Sequence, residues 1–522
     1  MRLMGLSPVT WRVERTGDGE TVTTGKFIEP VVIGSFGSVL VLVGSLQHNS
    51  PFTSKIPGSW YLGVPSTPLP GNSLVEFLSR WLVYVGVALI CYVWVKVIRL
   101  VRQGRAITPR ALWVAFWAWV IPLMIAGPLF SRDVYSYAAQ GEMVATGIDP
   151  YSYGPIALGK DPFLATVDPF WGRAKAPYGP FFLWIDGLIV KVVGHNPLTT
   201  VLGLRILALA GAVLAAKYAP RIAASLGKSP NLAFVLVALN PLVLFHLISS
   251  GHNDSIMIGL MIAAIAYYLE GKPILAIILA ALGAAVKAPA IVAIGFIGYN
   301  WTGATRFSKR VRGAVIAIVI TAAVFVALKY ISGLGWGWLL ALSTPGAVVN
   351  SVAPTAALAE IADAISGLLG LGIHFSTWVA VFRLVGLLAA GLIGAGLLLT
   401  SERRNIVRFI GITLVAVVVL GPVIQPWYLA WGLVVLACAP GKLTTWGTVV
   451  ISIGAIVLGI PGGPSIVSWI LYFTLALVVL LIVATKVPKI PPSIRQVGNR
   501  IIDDAVYRVV HAVGLYRDAD SN

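Results

Sequence analysis

Apolar runs long enough to cross a bilayer recur along this chain from about residue 30 to residue 486, and arginine and lysine cluster in the gaps between them. No other feature restricts the fold as much. Inside a bilayer every backbone N–H and C=O must find a partner within the protein, so such runs fold as helices. The composition agrees: of 522 residues, 58% are hydrophobic and only 11% charged, far from a soluble globular balance. The net charge of +18 does not indicate nucleic acid, because the basic residues lie between apolar segments and not in one domain. That is the pattern of cytoplasmic loops in membrane proteins, where such clusters face anionic lipid. The first 29 residues are polar, with Arg2, Arg12, Arg15 and Lys26, and lack the form of a cleavable signal. Cys91 and Cys438 both fall in apolar runs, so neither a disulfide framework nor a cysteine metal site is expected.

Spans are expected near 30–47, 74–99, 110–130, 198–218, 230–248, 254–270, 272–287, 289–304, 312–331, 376–400, 405–423, 426–440, 443–460 and 466–486. The expected fold is an all-α polytopic membrane protein of about 14 transmembrane helices, several of them short and therefore tilted or broken. Residues 1–29 and the tail 487–522 are expected in the cytoplasm, flanking a transmembrane domain over 30–486. The basic loops at 217–228, 306–312 and 403–408 then fall inside, and the loops 131–177 and 332–375 outside. Residues 132–145 and 161–174 read as short helices on the outer surface. The run 178–194 carries Asp186 and Lys191, and if it crossed, every later basic loop would change sides. It is expected to stay at the outer face or to re-enter. The tail holds Ile501, Ile502, Val506, Val509, Val510 and Val513 at helical spacing, which fits either a helix on the inner leaflet or a partly ordered polar tail.

Ionisable groups in or beside apolar spans are costly and therefore suggest function. The outer ends collect Asp133, His246, His252, Asp254, Lys287, Lys329 and Arg383. Asp133 opens the acid- and tyrosine-rich stretch SRDVYSYAAQGEMVATGIDPYSYGP, and in a helix it shares a face with Tyr137 and Gln140. It can serve as the base that takes a proton from an attacking hydroxyl, or as a helix cap. His246, His252, Asn253 and Asp254 join two spans. They can hydrogen-bond a phosphate or a sugar more readily than they can bind a metal, and Asn253 or Asp254 can also cap the next helix. Lys287 and Arg383 suit a lipid-linked phosphate, although Lys287 at a helix end can also snorkel. Trp427 and Tyr428, in QPWYLAW, fit sugar stacking or an interfacial aromatic belt.

Seven stretches together carry a resemblance: SRDVYSYAAQGEM at 131–143, GIDPYSYGP at 147–155, APYGP at 176–180, NPLVLFHL at 240–247, GHND at 251–254, VKAPA at 286–290 and QPWYLAW at 425–431. The chain resembles the MptA and MptB α-1,6-mannosyltransferases of mycobacteria and corynebacteria over about residues 30–486, with wording closer to MptB. The resemblance implies a multi-pass plasma-membrane enzyme of the GT-C glycosyltransferase type with its active site on the extracellular or periplasmic face. It implies a polyprenyl-phosphate mannose donor, a phosphatidylinositol-mannoside or related glycolipid acceptor, and a product in the α-1,6-mannan core of lipomannan and lipoarabinomannan. Asp133 matches the position of the GT-C catalytic aspartate, although here it follows the third span instead of the first.

On that basis an inverting single displacement is expected, with Asp133 as catalytic base. Lys287, Arg383 and His252 would hold the donor phosphate, and Tyr137, Gln140, Asn253, Asp254, Trp427 and Tyr428 would contact sugars. No cofactor is expected to be required, while the family leaves divalent-metal use open. The rival reading is a transporter or flippase of a lipid-linked sugar, which would also carry intramembrane charges and broken helices.

Overall fold

The computed structural model describes residues 27–46 and 73–459, apart from 106, 302, 304, 305, 350 and 351. The expected span 466–486, the tail 487–522 and residues 1–26 lie outside the described residues. Every regular element among the described residues is helical.

The first three helices, α1 (Ile28–Ser45), α2 (Ser73–Arg102) and α3 (Pro109–Ile125), lead to the helix that carries the site, α4 (Asp133–Ala145). The rest of the loop holds a single short α-helical turn, α5 (Pro162–Thr166), before α6 (Pro180–Val193) and α7 (Pro197–Ser225). The helix expected over 161–174 is broken in two, because Pro162 and Pro169 each restart the chain after a capping aspartate. Asp161 accepts from Phe163 N and Asp168 from Phe170 N. The C-terminal part follows as α8 (Pro230–Val237), α9 (Asp254–Leu269), α10 (Pro273–Ala284), α11 (Ile291–Tyr299), α12 (Phe307–Ser332), α13 (Trp338–Ala341), α14 (Pro354–Leu368), α15 (Phe375–Leu399), α16 (Ile406–Val419), α17 (Leu429–Ala437) and α18 (Lys442–Gly459). Proline at the first turn opens α3, α6, α7, α8, α10 and α14, where its missing N–H costs nothing. Thr108, Asn196 and Ser229 cap three of these helices through their side-chain oxygens.

Among the described residues, six helices (α1, α2 from Phe77, α7, α12, α15 and α18) are long and apolar enough to cross a membrane. The remaining apolar helices are shorter. α9, with 16 residues, rises about 24 Å, and α11, with nine, about 14 Å. The breaks expected of the short spans are present. Two breaks matter for function. At Pro241 the α8 segment gives way to a π-helical turn, Val243–Ser249. The Asn240 side chain repairs the junction, donating to Leu236 O and Ser452 Oγ and accepting from Leu242 N. At Pro289 the run 272–304 divides into α10 and α11. Lys287 lies between them in extended backbone, at φ −154° and ψ 134°. α7 and α9 pack backbone to backbone, since a Cβ on either Gly211 or Gly259 would collide with the main chain of the other helix.

α6 has 14 residues, about 21 Å, and is not among the helices long and apolar enough to cross. It packs against α4, α7 and α12. The predicted inner groups gather at one end of the bundle. Arg221 pairs with Glu270, Arg403 donates to Leu269 O and Arg310 to Leu399 O. The residues around Asp133 lie at the other end.

Candidate active site

Asp133 is the first residue of α4. The helix is capped by Arg132 without a side-chain hydrogen bond, so the Asp133 carboxylate is not spent on the helix terminus. Its backbone N–H donates to Ser131 Oγ at 3.2 Å. Residues Val134–Met143 of α4 are buried, so the helix is walled by protein. Gly141 admits the close approach of α6, where a Cβ would strike the Asp186 carboxyl group. The capping of α3 secures the approach to Asp133 from below. Arg205 of α7 is fully buried, and its guanidinium donates to Leu123 O at 2.7 Å, Met124 O at 3.0 Å and Ala126 O at 2.8 Å, supplying partners for carbonyls left open at the helix end.

A cleft of about 100 Å³ opens over Asp133. From α4 it is lined by Asp133, Ser136 and Gln140, the i, i+3, i+7 face. Tyr137, expected on this face, is turned inward and packs edge to face on Tyr178 at 5.0 Å and Phe182 at 5.4 Å. Opposite stand Gln425, Trp427 and Tyr428, with Thr344 and Val348 from the second large loop. Thr344 Oγ1 donates to Lys175 O, which ties the two loops together. Arg383 donates to Gly346 O at 2.7 Å and Val348 O at 2.8 Å. It therefore fastens this wall, and it is not among the lining residues. The lining cation is Lys175, a loop residue that no pattern in the sequence singles out.

Behind Trp427 the chain between the π-helical turn and α9 delivers His252, Asn253 and Asp254. Gly251 makes the turn at φ +75° against Val134 and Arg205. His252 is buried, with its ring 3.9 Å from that of Trp427 and its Nε2 3.9 Å from Asp133 Oδ2. Burial, and then the charge of Lys287 and the nearby His246, hold the imidazole well below its ordinary pKa. It is a neutral neighbour of Asp133, not a counter-ion. Asp254 is fully buried and takes both oxygens to Lys287 Nζ at 2.8 Å, with Trp431 Nε1 donating to Oδ1 at 2.5 Å. The rings of Tyr428, Trp431 and Tyr178 surround the ammonium at 4.6, 5.5 and 5.8 Å. Lys287 and Asp254 thus neutralise each other, and Asn253 lies buried behind the cleft. Lys329 lies against Tyr330, away from the cleft lining.

Asp133 itself is 26% exposed toward the cleft. Loss of hydration raises its carboxyl to about 6, with Asp254 pushing further up and Lys287 pulling down. Ser136, Gln140 and Trp427 line this cleft, and each carries a buried polar atom (Ser136 Oγ, Gln140 Oε1, Trp427 Nε1) without a hydrogen-bond partner among the described residues. Unpaired polar atoms in an aromatic-walled cleft suit a ligand rich in hydroxyls. Among the described residues no three His, Cys, Asp or Glu side chains are grouped as metal ligands would be.

Comparison with known proteins converges on one family. The family model for the N-terminal domain of α-(1→6)-mannopyranosyltransferase matches residues 31–303, and that for the MptB C-terminal domain matches residues 354–487. The α-(1→6)-mannopyranosyltransferase A of Mycobacterium tuberculosis is 33% identical over 456 residues, covering 82% of this chain and 85% of that protein. A probable α-(1→6)-mannopyranosyltransferase of Mycolicibacterium smegmatis is 31% identical, over 78% of each chain. The α-(1→6)-mannopyranosyltransferase B of Corynebacterium glutamicum is 30% identical, over 79% of this chain and 73% of its own. No solved structure matches the chain. The relatives named are transferases, which decides against the transporter reading. With both family models and relatives of the A and B types spanning most of its length, the chain belongs to the MptA/MptB family of α-(1→6)-mannopyranosyltransferases, polytopic all-α membrane glycosyltransferases.

Proposed function

We propose that this protein transfers mannose from polyprenyl-phosphate mannose to a mannosylated glycolipid, forming an α-1,6 linkage in the lipomannan core, in the cleft above Asp133. The observation that carries this reading is the Asp133 carboxylate. It is free of capping duty, partly open to the cleft and flanked by unpaired polar atoms that sugar hydroxyls would satisfy. In an inverting displacement the acceptor hydroxyl oxygen bonds to the anomeric carbon as the bond from that carbon to the phosphate oxygen breaks. Asp133 takes the hydroxyl proton, and the electron pair leaves with the polyprenyl phosphate.

Ser136, Gln140, Trp427 and Tyr428 line the path of the sugars. Lys175 is the lining cation placed to meet the departing phosphate, and Arg383 acts through the wall formed by residues 346–348. Lys287, already held by both oxygens of Asp254, contributes its field and the rigidity of the cage, while neutral His252 offers a hydrogen bond without charge. The site is proposed to face the outside of the plasma membrane, as the segregation of the basic loops to the opposite end supports. The reaction is proposed to need no cofactor, and transfer that persists in EDTA checks this.

The test is transfer from polyprenyl-phosphate mannose to a short α-1,6-mannoside glycolipid by purified protein in detergent. Product from the wild type, and a loss of about a hundredfold or more in Asp133→Asn, is the expected result. Absence of product from a folded wild type, with a validated donor and several mannoside acceptors, overturns the assignment.

A further inference from the structure

The far end of the bundle holds a second cavity, of about 810 Å³. α9 starts at Asp254 beside the cleft and ends at Leu269 in this basin. About 15 residues of helix, or roughly 23 Å, therefore separate the two. α16 runs between the same ends in the opposite sense, from Asn405 in the basin toward Val423 and Gln425 in the cleft.

Lys228, Arg403, Arg404, Arg408 and Lys442 line the basin, and no acidic residue does. Two of the five are engaged: Arg403 donates to Leu269 O, and Arg404 pairs with Glu402 at 2.9 Å. Lys228, Arg408 and Lys442 have no partner among the described residues. Excess charge in a loop can relieve its repulsion by spreading into water. Here cations from three separate connections, 226–229, 402–408 and 439–442, instead line one cavity. The basin sits at the ends of α7 and α18, two helices long enough to cross a membrane. It therefore lies at the depth of lipid headgroups, and Leu226 and the 67% exposed Leu443 add apolar surface to its lining.

We propose that this basin binds the phosphate headgroup of an anionic phospholipid in the leaflet opposite the active-site cleft. Arginine forks match phosphate oxygens in pairs, lysines add point charge, and basic pockets at helix ends suit such headgroups. Leu226 and Leu443 offer apolar contact to the start of the acyl chains, which anchor in the bilayer. Inorganic phosphate shares the headgroup chemistry but lacks that anchorage, so the two are separable.

Native mass spectrometry of the full-length protein in neutral detergent tests the proposal, with phosphatidylglycerol titrated against phosphatidylcholine and, separately, against inorganic phosphate. The expected result is one saturable phosphatidylglycerol that phosphatidylcholine does not displace and that millimolar phosphate leaves in place. Arg408→Gln/Lys442→Gln should weaken it about twenty-five-fold, the product of roughly fivefold for each cation near an anionic surface. Lys309→Gln/Arg312→Gln, which removes equal charge from the exposed start of α12 outside the basin, should leave it unchanged. Size-exclusion profiles identify any variant that does not fold, and Lys228→Gln then serves as the single-site replacement, with an expected fivefold loss. Equal losses in the basin and α12 variants would show charge adhesion without a site. Displacement by phosphate would assign the basin to a soluble anion, and no retained phosphatidylglycerol in the wild type would remove the site altogether. Each of these three outcomes overturns the proposal.

Discussion

Replacing Asp133 by asparagine should stop transfer and at the same time make the protein harder to melt. Burial raises the Asp133 carboxyl from 3.8 to about 6. A carboxyl whose folded pKa lies above its unfolded one is a charge the native state holds reluctantly. Its contribution to stability is fully present below about pH 3.8 and is lost as pH rises through 6. About two pKa units at 1.36 kcal/mol each set a ceiling of about 3 kcal/mol. With the side chain 26% exposed, residual hydration brings the figure to about 1–2 kcal/mol. Asp133→Asn removes the charge at nearly constant size, so at pH 8 it should melt about 1–2 °C above the wild type. At pH 5 the wild-type residue is largely protonated only in the folded state, and the gain should fall to about half. Dye-monitored melting in detergent at both pH values, run beside the mannose-transfer assay, reads both effects. An asparagine variant that melts lower than wild type at pH 8 would make Asp133 a structural group and refute the reasoning, as would full activity.

The pH profile of kcat/KM should rise through an apparent pKa of about 6, so that wild type at pH 5 keeps about a tenth of its plateau activity. Lys287→Met should destabilise the protein by about 3–5 kcal/mol, because it strands the buried Asp254 carboxylate. The double variant Lys287→Met/Asp254→Leu should recover most of that loss, and a purely additive cycle by thermal or denaturant melting would contradict the pairing. Arg205→Ala should leave the carbonyls of Met124 and Ala126 without their buried donor, and that of Leu123 with only Ser249 Oγ at 3.4 Å, at about 1–3 kcal/mol for each group left unsatisfied. A melting temperature within a degree of wild type would refute that role.

Much of this architecture is written in the chain at low resolution. Apolar length marked the helices, prolines marked their first turns, and the basic gaps marked one end of the bundle. Asp133 and Lys287 stood out for physical reasons: one opens an acid- and tyrosine-rich loop, and the other precedes Pro289, where a helix has to break. What the sequence left open are choices that depend on neighbours. Tyr137 and Ser136 both lie within a turn of Asp133, and only the packing of α6 turns the tyrosine inward and leaves the serine in the cleft. Lys175 looks like any loop lysine until Thr344 bonds its carbonyl and the two loops together line the cleft. Arg383 reads as a phosphate ligand because it lies deep in a span, yet nearby loop carbonyls claim its guanidinium. Arg205 also carried a signal, a charge inside the expected span 198–218, but which carbonyls it serves depends on the end of α3 packed beside it.

The electrostatics of the cleft follow from where Lys287 spends its hydrogen bonds. A general base works best when its pKa lies near the working pH, ionised yet still willing to take a proton. Had Lys287 bonded Asp133 directly, the pairing would hold the aspartate low and make it a weak base. Had the cation been absent, dehydration alone would raise it further and leave less of it ionised at neutral pH. Lys287 instead gives its ammonium to Asp254, at 2.8 Å to both oxygens, and the nearest ring nitrogen to Asp133 belongs to a neutral histidine at 3.9 Å. Asp133 therefore feels the lysine only as a field, partly cancelled by Asp254. Burial raises the Asp133 carboxyl, the buried pair acts on it as a fixed dipole without touching it, and the Ser131 hydroxyl draws it back down, so that it lies near 6 and not at either extreme.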